Sequence, residues 1–157
     1  MTILGIDPGI TGAIYFNTVE GKIVVDMPIM AKTSGKGNQI NPYELTSLLM
    51  QPPIDRLTGI KAAYLESVHA MPGQGVSSVF SFGKSVGTIE GVLAALNIPL
   101  VMVTPQRWKK NAKLIGKDKD AARTLAIQLY PELSDRLSRK KDIGRADAIL
   151  IAEFGKV

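Results

Sequence analysis

The 157-residue chain is 45% hydrophobic and 21% charged, a globular rather than disordered composition at a length that suits one domain. With no cysteine and one histidine, it excludes a disulfide scaffold, a thiolate metal site and a cysteine nucleophile. The net charge of +5 is unevenly placed: residues 1–104 hold six Lys/Arg against seven Asp/Glu, and residues 105–157 hold thirteen against seven. Residues 2–7 read as a buried strand closed by Pro8-Gly9, 11–16 as a second strand, and 22–27 as a third after the Glu20-Gly21 turn. Two short connections in a row imply an antiparallel meander. Residues 28–41, rich in Gly, Ser and Asn, read as a loop, and Asn41-Pro42 starts a helix with Asn41 as its N-cap.

Residues 61–66 form a predicted fourth strand, 69–75 a flexible loop, 76–96 a long helix and 99–103 a fifth strand. Helical segments follow at 105–114, 118–130 and 143–155. The order predicts a single α/β domain over 1–157: a mixed five-stranded sheet, its first three strands antiparallel, with helices on its faces. No apolar run approaches the ~20 residues of a membrane span, and the start lacks the pattern of a signal peptide. A soluble, cytoplasmic protein is the expectation.

Three acids stand in apolar company. Asp7 ends a strand on the face of Ile3 and Gly5. Glu66 ends the strand Ala62-Ala63-Tyr64-Leu65-Glu66. Asp147 points with the stripe Ile143, Leu150, Ile151 and Phe154. Singly, each is readable as a surface strand-end or capping carboxylate. Together, with no Arg or Lys on those strand faces, they need a cation, and hard oxygen donors suit Mg²⁺ or Mn²⁺ rather than Zn²⁺. The excess positive charge is densest at Arg107, Lys109, Lys110, Lys113, Lys117 and Lys119. From charge alone, a polyanion partner and a solvated helix face are equally open readings. Gly83-Lys84-Ser85 is not a phosphate-binding P-loop, because position 78 is Ser and the segment lies inside a helix.

The pattern Leu4-Gly5-Ile6-Asp7-Pro8-Gly9, strand-end Glu66, Val103-Thr104-Pro105 ahead of a basic segment, and Gly144-Arg145-Ala146-Asp147-Ala148 in a late helix resembles the RuvC family of Holliday-junction resolvases. The likeness spans residues 3 to about 154, and its ending is that of phage and plastid members. It implies an RNase H-like fold and a metal-dependent endonuclease that makes symmetric nicks in four-way DNA junctions, leaving 5′ phosphates. It implies a homodimer, and two Mg²⁺ ions (Mn²⁺ able to substitute) held by four carboxylates. Asp7, Glu66 and Asp147 match three of them. Bacterial members of the family place an acid or a His three residues before the last Asp, where this chain has Gly144, so Asp142 is the nearest candidate. Five residues apart on one helix, Asp142 and Asp147 would face about 140° apart, so Asp142 converges only if the helix starts after it. Otherwise it is an N-cap.

The family's wedge loop corresponds to the residues around His69, which reads either as a DNA contact or as an exposed loop histidine; Met71 is a second wedge candidate. Gly83, Gly87 and Gly91 recur every four residues and each costs helix stability. They suit a close dimer contact or close packing on the sheet. A broader flap or branched-DNA endonuclease, and a non-catalytic junction-binding protein, are the alternative functions.

Overall fold

The computed structural model describes residues 1–51 and 59–156. Strands β1 (Thr2–Asp7), β2 (Ala13–Asn17) and β3 (Lys22–Asp26) form the expected meander, and β6 (Ile60–Glu66) and β7 (Leu100–Val103) extend it in parallel. The sheet order β3-β2-β1-β6-β7 puts β1 at the centre. The segment read as a loop contains two further strands, β4 (Ile29–Ala31) and β5 (Asn38–Ile40), paired as a separate hairpin. Its turn passes through Gly35 and Gly37, both at positive φ, which only glycine adopts freely.

The helices are α1 (Pro42–Met50), α2 (Val76–Ala95), α3 (Pro105–Asn111), α4 (Lys119–Leu129) and α5 (Ile143–Phe154), with 3₁₀ turns at Pro131–Arg136 and Lys140–Asp142. Several starts follow from capping chemistry: the side chains of Asn41, Thr104 and Asp118 accept from backbone N–H groups of α1, α3 and α4. Among the described residues no helix is long and apolar enough to cross a membrane.

Strand alternation sends side chains to two cores. Leu4, Ile6, Ala63 and Leu65 pack with Ile89 and Leu93 of α2 and Leu45 and Leu49 of α1. On the other face, Ala13 and Tyr15 pack with α3, α4 and the apolar stripe of α5. Asp7 and Glu66 continue the α5-side alternation beyond Ile3 and Tyr64. Both therefore emerge where β1 and β6 end, on the face that α5 covers.

Candidate active site

Gly5 brings the third acid to the other two. A Cβ there would run into the Ala148 carbonyl oxygen and lie 2.9 Å from the Ala152 N, so α5 seats directly on the backbone of β1. Asp147, one residue before Ala148, is thereby held over the end of β1. The three acids repel one another. Burial, then Glu66, pushes Asp7 from 3.8 up to about 6, against a lowering hydrogen bond from the Gly9 N–H. Burial, then Asp7 and Glu66, pushes Asp147 up to about 7, with Lys109 and Lys119 pulling it down. Burial and like charge acting together on Asp7 and Asp147 make this place a candidate functional site.

Glu66 is anchored by a contact that sequence reading missed. Trp108, 1% exposed, donates its Nε1–H to Glu66 Oε1 at 2.8 Å. The indole thus packs α3 into the core and aims a carboxylate, leaving the second Glu66 oxygen for other partners. The two residues lie 42 positions apart, so only the fold joins them.

Asp142 stands outside this group. The helix does begin after it, as its convergence required, but its carboxylate is 2% exposed and enclosed by guanidinium groups. It accepts from the Arg139 backbone N at 2.9 Å, from Arg139 Nη2 at 2.9 Å, and lies 3.5 Å from Arg145 Nη1. Burial works against its charge, yet the Arg139 hydrogen bonds and the two arginine charges outweigh it and hold the carboxyl below its ordinary value. Buried Arg145 in turn grips Asp26 with bonds of 2.7 and 2.8 Å and donates to the Arg136 carbonyl at 2.9 Å. This network ties the first turn of α5 to the end of β3, in the same row as Ala13 and Asp7. The role it gives Asp142 is to fix the start of the helix that carries Asp147.

Position 144 has no room for the acid that the family places there. A Cβ on Gly144 would lie 2.5 Å from the Thr11 carbonyl oxygen and 3.4 Å from Asp7 Oδ2. Asp7, Glu66 and Asp147 remain as the candidate donors, all hard oxygens, and a divalent cation would offset their like charge. As the side chains stand, no three Asp, Glu or His residues among those described occupy ready-made ligand positions.

The basic segment lies beside the acids. Lys109 and Lys119 are close enough to lower Asp147, and Lys109 Nζ sits 5.3 Å from the Trp108 ring centroid. Arg107, Lys110, Lys113 and Lys117 are exposed. His69 and Met71 are exposed on the loop after β6. The glycine stripe faces outward: a Cβ at Gly83, Gly87 or Gly91 would meet nothing within 4 Å, which excludes packing on the sheet as its purpose. Phe80, 73% exposed, shares that face.

No protein-family model matches the chain. Over 106 residues, 67% of the chain, it is 34% identical to the chloroplastic Holliday junction resolvase MOC1 of Chlamydomonas reinhardtii. The matched stretch spans 12% of that protein's length. In structure it is similar to Thermus thermophilus RuvC in complex with a Holliday junction substrate, with a TM-score of 0.55 and 16% identity over 97% of this chain and 90% of that one. A second Thermus thermophilus RuvC structure gives a TM-score of 0.56 and 13% identity over 98% and 94%. The chain thus has the RuvC fold and is a sequence relative of a Holliday junction resolvase.

Proposed function

We propose that this protein is a Holliday junction resolvase: a metal-dependent, structure-selective endonuclease that nicks four-way DNA junctions symmetrically. The observation that carries the proposal is the gathering of Asp7 and Glu66 at the ends of β1 and β6 with Asp147 on the helix seated on β1, beside a basic segment. Asp7, Glu66 and Asp147 hold the cations, two Mg²⁺ ions per site, with Mn²⁺ able to substitute. Divalent cations, when bound, acidify water and neutralise charge on a phosphate under attack. Trp108 keeps Glu66 in place, and the Asp142–Arg145–Asp26 network keeps α5 in place. Arg107, Lys109, Lys110, Lys113, Lys117 and Lys119 take the phosphates of the duplex arms, giving affinity without sequence readout. No side-chain nucleophile is needed, in keeping with a chain free of cysteine. Attack of water on phosphorus with cleavage of the P–O3′ bond and departure of the 3′ oxygen, which takes a proton, would leave a 5′ phosphate and a 3′ hydroxyl.

Two strands of a junction must be cut, which suits a two-fold homodimer. The outward stripe Gly83, Gly87 and Gly91 on α2 supports that helix as the contact. A panel of four-way junction, flap and linear duplex with Mg²⁺ tests the proposal. Preferential, paired cutting of the junction is expected, and equal cutting of flaps would favour the broader nuclease. The carboxylates' lack of ready-made ligand positions favours one further reading, a junction-binding protein without activity. Tight junction binding with no cleavage in Mg²⁺ or Mn²⁺ would establish it.

A further inference from the structure

On the sheet face opposite the carboxylates, the β4–β5 hairpin leans against α2 and encloses a groove of about 710 Å³. The groove reaches Ile10, three residues beyond Asp7. None of its lining residues is acidic, and two lysines cross it. Lys32 Nζ donates to Ser81 Oγ at 3.1 Å, and Lys84 Nζ to Gln39 Oε1 at 3.0 Å. Both partners are neutral, and among the described residues neither lysine meets a carboxylate. A phosphate can therefore replace those acceptors without breaking an ion pair, and the exchange gains one.

The 20-residue α2 adds to the field. It opens at this groove, with Val76 lining it, no capping side chain and no acid in its first turn. Val76, Ser77 and Ser78 of its first turn line the groove, which places the positive end of its dipole at that edge. Phe80, also on the lining, is 73% exposed and offers a flat face for a base.

We infer that this groove holds a short unpaired stretch of DNA strand, about one or two nucleotides, on the sheet face opposite the carboxylates. The volume suits that occupant, since ligand pockets run roughly 300–1,000 Å³, and it is too small for a duplex. The basic segment 107–119 belongs to the α5 side of the sheet, with Trp108 and Ala112 in that core. Duplex would then lie on the carboxylate side of the sheet and loose strand on the α2 side, with Ile10 of the β1–β2 connection at the groove's edge. The groove's part in cleavage rests on the nuclease reading; its affinity for a loose strand does not.

Wild-type protein in EDTA is titrated into a fluorescein-labelled single-stranded DNA hexamer and into a labelled 16-base-pair duplex, read by anisotropy. Lys32→Gln with Lys84→Gln should weaken hexamer binding at least tenfold and duplex binding less than threefold. Ser81→Trp, which fills the groove without changing its charge, should do the same. Lys109→Gln with Lys110→Gln should show the reverse ranking. Unchanged hexamer affinity in the groove variants, or equal losses on both DNAs, would overturn the inference. A protein that binds in the expected pattern yet cuts no junction removes the nuclease reading and leaves the groove standing. A junction-cutting protein whose hexamer binding ignores the groove variants does the opposite.

Discussion

Replacing Asp7 with Asn removes one charge from the carboxylate group while keeping its size and an acceptor for the Gly9 N–H. Burial and Glu66 raise Asp7 from 3.8 to about 6, about two units, and at 1.36 kcal/mol per unit this is about 3 kcal/mol. The folded state holds the proton more tightly than the unfolded one. The group's contribution to stability is therefore full below pH ~4 and is lost as pH rises through about 6. Metal-free wild type should then be weakest above pH 7, and Asp7→Asn should be the more stable protein at pH 8 in EDTA. The gain should approach about 3 kcal/mol, roughly 6–12 °C in Tm for a chain of this size, and fall to about half at pH 5. Saturating Mg²⁺ at pH 8 should raise the wild-type Tm more than that of the variant, and cleavage by the variant should be lost. Urea unfolding at the two pH values, with and without Mg²⁺, measures all of this. A variant less stable than wild type at pH 8, or an advantage that ignores pH, would refute the claim that burial and the neighbouring carboxylate make the ionised Asp7 costly to the fold.

Trp108→Phe keeps an aromatic ring in the core but leaves a void and removes the only indole N–H at Glu66; it should cost about 2–3 kcal/mol and lower cleavage about 10–100-fold, read by chemical denaturation and single-turnover kinetics. Asp142→Asn leaves buried Arg145 and Arg139 under-neutralised, so a stability loss of about 2–4 kcal/mol is expected, with cleavage retained at temperatures where the variant stays folded; abolished cleavage with undiminished stability would instead make Asp142 a ligand. Gly144→Ala forces a methyl to within 2.5 Å of the Thr11 carbonyl, for an expected loss of about 1–3 kcal/mol in thermal unfolding.

The sheet was legible because β1, β2, β3 and β6 are apolar runs between strong turn signals. The β4–β5 hairpin was not, because Ile29–Ala31 and Asn38–Ile40 are three residues each and the second is largely polar. Their pairing comes from leaning on α2, a long-range contact with no local trace. The three converging acids were readable from strand ends and helix periodicity. Asp142 was the hard case: its helix boundary was foreseeable, but its fate turned on where Arg139 and Arg145 pointed, and the bidentate grip of Arg145 on Asp26 spans 119 positions. The glycine stripe could be seen in the sequence but not its direction, since its spacing is the same facing the sheet or facing solvent.

The central claim is that Asp7, Glu66 and Asp147 form a metal-dependent centre for junction resolution. It is tested most directly by mapping the nicks that wild type and Asp147→Asn make in a synthetic four-way junction with Mg²⁺. Paired, symmetric nicks from wild type, absent without Mg²⁺ and absent in the variant, are the expected result. No nicks from wild type, or the same nicks from both proteins, would contradict the account.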